Sequence, residues 1–273
     1  MKKLYILVFV ALAVLISGCK ASDASRGPRL VIVHTNDTHS HFDPVRSGVL
    51  EGQCGVIERA VFIDSVRNAN GADKVLLLHA GDFNQGTSYY TEFNGEMEVE
   101  IANALGYDCI TLGNHEFDNG IEDLTSRVEK IKCPVLCANY EFPGLRLGEI
   151  VKPYTIVKKN GMKVGIIGLE ADLSSLVSAK TWNALKALDN AEVVNKYAKL
   201  LRKQCDIVIL LTHIGWEEDL ALVPHISGVD AVIGGHSHTT IKMPKEVADA
   251  SGKPVPVMTD GYWGREMAVL SIY

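Results

Sequence analysis

Apolar positions along the chain fall in short blocks separated by mixed stretches. Runs of strand length occupy residues 30–34, 75–80, 109–112, 164–168, 207–212 and 231–233. The intervening segments carry helical spacing. The clearest is 190–204, where Val193, Val194, Tyr197, Leu200 and Leu201 share one face of a 3.6-residue period, and Asp189 with Glu192 predicts its N-terminal cap pair. Helices are also expected over 54–70 and 95–105, and residues 255–273 alternate in a strand-like way. There is no internal repeat, low-complexity tract or long linker. The economical reading is one α/β domain.

The first segment concerns address rather than fold. Lys2 and Lys3 precede an unbroken apolar run over residues 4–16, which is too short for a spanning helix of roughly 20 residues. The run ends in Leu15-Ile16-Ser17-Gly18-Cys19, which resembles a bacterial lipobox. Residues 1–18 are therefore expected to be a lipoprotein signal peptide. Cys19 would be the lipidated N-terminus, residues 19–28 a tether, and 29–273 the folded domain. The expected location is the bacterial cell envelope, membrane-anchored and facing the periplasm or the cell surface.

Composition narrows the function. Apolar residues are 47% and charged residues 22% of 273, which excludes disordered and fibrous classes. The net charge is −6 and no basic run is present, so no nucleic-acid partner is expected. An anionic ligand must be held by local groups or metal ions against the overall field. The cysteines after Cys19 (Cys54, Cys109, Cys133, Cys137, Cys205) are odd in number, show no framework spacing, and read as small apolar residues.

The informative residues follow the strands. These are Asn36-Asp37-Thr38-His39 after the first, Gly81-Asp82 after the second, and Gly113-Asn114-His115-Glu116 after the third. His213 and Gly234-Gly235-His236-Ser237-His238 follow two later ones. In α/β sheets ligands bind beyond the carboxyl ends of strands, so these loops predict one cleft. Five of the nine histidines fall in them. Imidazole, carboxylate and amide ligands suit Zn, Mn, Fe, Co or Mg without selecting one, and the lack of cysteine argues against a structural zinc. Two such ions, sharing a water and clamping a phosphoryl group, predict phosphate-ester hydrolysis by metal-activated water.

These motifs resemble the calcineurin-like metallophosphoesterase superfamily. More closely, HTNDTHSHF (34–42), GDFNQGT (81–87), LGYDCITLGNHEFDNG (105–120) and GGHSH (234–238) resemble the 5′-nucleotidase family over about residues 29–273. The resemblance implies a four-layer α/β/β/α sandwich with two central mixed sheets. It implies that Asp37, His39 and His238 bind one divalent ion, that Asn114, His213 and His236 bind a second, and that Asp82 bridges them. His115 would contact the phosphate as a catalytic residue, oriented by Asp118. Asp118 has a competing reading as the cap of a helix over 120–130. His41 is expected beside the site, Glu116 bonded to its own loop, His34 and His79 within strands, and His225 at a helix end or the surface. Tyr89, Tyr90, Phe93 and Trp216 either line a pocket or pack in the core. Trp263 belongs to a glycine-aromatic turn that would border the site.

The resemblance also implies a C-terminal substrate domain with base-stacking aromatics and arginines, whereas this sequence stops at Tyr273. The expected reaction is 5′-nucleotidase-like, nucleoside phosphate to nucleoside plus phosphate. Alternatives are a 2′,3′-cyclic nucleotide phosphodiesterase, a nucleotide-sugar pyrophosphatase, or a catalytic subunit that needs a separate polypeptide as its substrate domain. A lipoprotein that binds metal or nucleotide without catalysis is the alternative from another class. No ligand and no catalytic histidine is missing, which favours the enzyme.

Overall fold

A computed structural model describes residues 27–53 and 55–273. The expected signal peptide, the lipidated Cys19, the tether up to residue 26 and Cys54 lie outside the described residues. Two mixed sheets form the centre. The first has the order β13 (Ala268–Ile272), β1 (Leu30–Thr35), β2 (Val75–His79), β3 (Cys109–Thr111), β4 (Val135–Leu136). In it β1 to β4 are parallel and β13 is antiparallel. The second has the order β11 (Lys245–Ala248), β12 (Pro254–Met258), β10 (Ala231–Ile233), β9 (Ile207–His213), β7 (Met162–Glu170), β6 (Tyr154–Lys159). Its four inner strands are parallel and both edges are antiparallel. A two-residue ladder joins β5 (Tyr140–Glu141) to β8 (Lys186–Ala187).

Helices α1 (Val56–Asn70), α3 (Glu96–Leu105) and α4 (Ile121–Val128) cover the outer face of the first sheet. Helices α7 (Asn190–Leu201) and α8 (Trp216–Leu222) cover the second. Three short helices, α2 (Ser88–Phe93), α5 (Leu147–Ile150) and α6 (Ala179–Asn183), lie in connections. The result is the expected α/β/β/α sandwich. Leu30, Ile32, Leu76 and Leu78 meet Ile207, Ile209 and Leu211 between the sheets, while Val31, Val33 and Leu77 face helices. Because both faces of these strands are dry, their sequence is a continuous apolar run.

Local expectations hold with adjustments. The Asp189 side chain accepts from Glu192 N at 2.8 Å, capping α7 as expected. The helix stops at Leu201 rather than 204, and Leu200 is 41% exposed, on the side away from the core that Val193, Val194, Tyr197, Ala198 and Leu201 face. The strand-like stretch 255–273 is two strands in different sheets, linked by a loop over 259–267. The β6–β7 hairpin was not anticipated. Its turn, Asn160-Gly161, has φ of 47° and 76°, the chemistry of a tight two-residue hairpin. Among the described residues the four cysteines are free thiols, and no helix is long and apolar enough to cross a membrane.

His34 of β1 faces Asp260 after β12, Nδ1 to Oδ2 3.2 Å, and both are sealed from solvent. Burial pushes the Asp260 carboxyl up to about 8 and the His34 imidazole down to about 3. An acid raised on folding stabilises the fold fully below its ordinary value of 3.8. That contribution is lost as pH rises to about 8. The metal-stripped chain is therefore expected to lose stability relative to Asp260→Asn between those limits, on a scale of ~1.4 kcal/mol per pKa unit. Urea unfolding of both chains across pH measures this, and a pH-independent difference would refute it.

Candidate metal centre

The loops after β1, β2, β3, β9 and β10 converge where the carboxyl ends of the two sheets meet. Two adjacent groups of donors form there, Asp37 with His39 and His238, and Asp82 with His213 and His236. Within each, the donor atoms lie within 4.8 Å of one another. Asp82 Oδ2 lies 3.0 Å from His213 Nε2 and 3.9 Å from His39 Nε2, so its carboxylate touches both groups. Asp37 Oδ1 is 3.4 Å from His238 Nε2 and 3.9 Å from both His39 Nε2 and His213 Nε2. All six Asp and His positions expected as ligands are thus together.

The donor set fits divalent metal. His39 Nδ1 donates to the Asn84 carbonyl at 3.1 Å, and His213 Nδ1 to the Ala80 carbonyl at 2.6 Å. Each carbonyl fixes the tautomer that leaves an Nε2 lone pair facing inward, the usual support of a ligating histidine. His39 Nε2 then meets His238 Nε2 at 2.9 Å. Asn114 Oδ1 is buried without a hydrogen bond, and in that tautomer the His213 Nε2 lone pair faces the Asp82 carboxylate 3.0 Å away. A cation answers these unmatched lone pairs, which would otherwise be costly to bury. The adjacent nitrogen- and oxygen-bearing groups make a binuclear divalent-metal site, and they select no particular ion.

The loops are strained into this arrangement. Asp37, His39, Asp82, His236 and His238 have φ of 48°, 46°, 55°, 78° and 54°. Side chains avoid this left-handed region at roughly 1 kcal/mol or more each, so the surroundings must enforce it. Glu116, fully buried, supplies that force at Asp82. Its carboxylate accepts from Gly113 N at 2.6 Å, Asp82 N at 2.9 Å, Phe83 N at 3.1 Å and Asn84 N at 3.2 Å, tying the loop after β2 to the loop after β3. Gly113 allows this approach, since a Cβ there would strike Asp82 N and Oδ1. Asp82 Oδ1 in turn accepts from His115 N at 2.9 Å, and Asp37 accepts from His236 N at 2.9 Å.

Electrostatics follow the geometry. Burial opposes charge on Asp82, but the touching His213 imidazole overrides it and holds the carboxyl below the usual range. Burial likewise opposes charge on His213, and the Asp82 and Asp37 carboxylates reverse that. Burial alone dominates at His39 and lowers it. Sequence reasoning missed two buried carboxyls behind this cluster. Glu170 ends β7 opposite His213, and Asp219 of α8 accepts from Thr212 Oγ1 at 2.9 Å. Burial raises both, Asp219 to about 8. Isolated acids at a strand end and in a helix carry no spacing signal that would mark them.

His115 lies at the edge of the cluster, its ring 5.3 Å from that of His39. Its Nδ1 donates to Asp118 Oδ2 at 2.9 Å, and that bond pushes His115 up to about 9. Helix α4 starts at Ile121 with Gly120 as its cap, so the cap reading of Asp118 gives way to the His115 contact. His41 stands outside both groups, stacked on Trp263 with centroids 4.1 Å apart. His34 and His79 are buried in strands, and His225 is exposed at a helical turn. Trp216 is half-buried and packs against the core of the second sheet's outer face, Tyr89 and Tyr90 are half-buried, and Phe93 is 49% exposed.

Fold and site together define a metal-dependent phosphoesterase. Residues 30–240 match the calcineurin-like phosphoesterase family, and the chain belongs to it. It is 33% identical over 276 residues to the 5′-nucleotidase of Bos taurus, covering 96% of this chain and 47% of that protein. It is 30% identical to a probable 5′-nucleotidase of Treponema pallidum, with 96% and 48% covered. Among solved structures it superposes on a 5′-nucleotidase precursor from Thermus thermophilus with a TM-score of 0.78 and 33% identity, over 87% of this chain and 50% of that one. The Haemophilus influenzae NAD nucleotidase gives 0.75 and 30%, over 86% and 45%. The chain thus spans about half the length of these relatives.

Proposed function

We propose that this chain hydrolyses phosphate monoesters of nucleosides, releasing nucleoside and phosphate. The observation that carries the reading is the pair of adjacent Asp/His groups joined through Asp82. Asp37, His39 and His238 would hold one ion, and Asn114, His213 and His236 the other, with Asp82 between them. When bound, the two ions supply a water acidified to near-neutral pKa and a clamp for the phosphoryl oxygens. The chain's own residues do the rest. The Ala80 and Asn84 carbonyls hold the ligand tautomers, and Glu116 keeps the two loops in register. His115, with Asp118 on Nδ1, presents Nε2 to the phosphate or leaving group as a hydrogen-bond donor and proton source.

Similarity to 5′-nucleotidases over nearly the whole chain supports the nucleotide as substrate. The domain assignment (1–18 signal peptide, 19–28 lipidated Cys19 and tether, 29–273 catalytic domain) remains part of the proposal, as does an envelope location. The run 4–16 ending at Gly18-Cys19 and bacterial relatives of the nucleotidase type support it. A substrate-binding domain outside these residues is the second form of the reading, since the relatives are about twice as long as the matched region.

The test is hydrolysis by the full chain loaded with Mn²⁺, read as phosphate from AMP and ATP, as product nucleotide from 2′,3′-cyclic AMP and UDP-glucose, and as nitrophenol from bis(p-nitrophenyl) phosphate. AMP is expected to turn over at an enzymatic rate of ~1 s⁻¹ or more. Turnover of the nitrophenyl ester alone would instead assign substrate recognition to a domain outside these residues. Metal binding with no hydrolysis of any ester would overturn the enzyme reading.

A further inference from the structure

The loop over 259–267 crosses the mouth of the site, and its contacts run to the strand ends that carry the first donor group. Trp263 N donates to the Asp37 carbonyl at 2.6 Å. The Trp263 ring stacks on His41, whose Nδ1 donates to the His39 carbonyl at 2.8 Å. Asn36 Nδ2 donates to the Gly261 carbonyl at 2.7 Å, and Asn36 Oδ1 accepts from Asp260 N at 2.9 Å. The Tyr262 ring lies over that of His238, with centroids 4.9 Å apart and planes 21° from parallel. The Arg265 guanidinium stands 4.3 Å from the centre of the same Tyr262 ring.

His238 needs such a partner. A carbonyl pins Nδ1 in both His39 and His213, whereas no protein group among the described residues accepts from His238 Nδ1. Its side chain is also 42% exposed, against 6% for His39 and none for His213. An imidazole free to rotate in water is a poor ligand until something orders it. A stacked aromatic face fixes the ring plane without consuming a nitrogen, and a guanidinium over that aromatic holds it in turn.

We propose that Tyr262, backed by Arg265, is a positioning residue for the first metal group alone, orienting His238 as a carbonyl orients His39. The inference rests on Asp37, His39 and His238 being ligands, and its test separates the two claims. The full chain, stripped of metal, is titrated with Mn²⁺ alone while free ion is followed by electron paramagnetic resonance. Wild type should show two sites. In Tyr262→Ala one site should weaken by about 10–100-fold, the scale for losing the support of a ligand, and the other should not move. Tyr262→Phe should restore both, because the stack needs the ring and not the hydroxyl.

His238→Ala is the control for the ligand assignment and should lose one site. Two intact sites in that variant would sink the ligand assignment itself. Loss of a site in His238→Ala together with wild-type binding by Tyr262→Ala would overturn the positioning role and leave the metal site standing. Equal weakening of both sites in Tyr262→Ala, or failure of Tyr262→Phe to restore binding, would also overturn it. The first result would mean general loosening, and the second a role for the hydroxyl.

Discussion

Asp82→Asn is expected to lower hydrolysis by at least ~10³-fold and to reduce bound metal from two ions to about one. Its carboxylate contacts a histidine of each donor group, at 3.0 Å from His213 and 3.9 Å from His39. An amide keeps the shape and one oxygen but gives up the charge and the second anionic lone-pair face. A bridging role worth several kcal/mol of charge stabilisation translates to about three decades or more in rate. The fold should survive. The Glu116 bonds to backbone N–H of residues 82–84 remain, and the Asp82 side chain packs no apolar core. Metal analysis with turnover at saturating Mn²⁺ decides the matter, and unchanged turnover would end the two-metal reading.

His115→Ala is expected to lower kcat by about 10²–10⁴-fold while both ions stay bound. His115 belongs to neither donor group and spends Nδ1 on Asp118, which leaves Nε2 for substrate. Asp118→Asn should cost less, about 10-fold, because the amide can still accept from Nδ1 but no longer favours the protonated ring. Loss of metal from His115→Ala would instead make this histidine a ligand. Equal losses of activity and of thermal stability in both variants would reduce the pair to a structural contact at the loop.

Much of the site was legible because the chemistry sits in contiguous motifs at strand ends. Asp37-x-His39, Gly81-Asp82, Asn114-His115 and His236-x-His238 each follow an apolar run, and parallel strands carry such loops to one edge. Glu116 was recognisable as a loop residue from its place beside Asn114, although its reach to Asp82, Phe83 and Asn84 was not. Edge strands were harder. β6 and β11 are half wet and mix Lys and Glu with apolar residues, so they lack the continuous runs of the inner strands.

The sequence by itself determined the order of strands and ligands along the chain, the ligand types, and the continuous apolar runs that let both faces of each inner strand be dry. These depend on neighbours along the chain. Which donors share an ion, which carbonyl pins which ring, and which aromatic stacks on His238 were decided only by tertiary structure. Those contacts join residues some 24 to 200 positions apart. They exist because two sheets, each built locally, are pressed together by the apolar layer between them, and that layer fixes how their strand ends face one another.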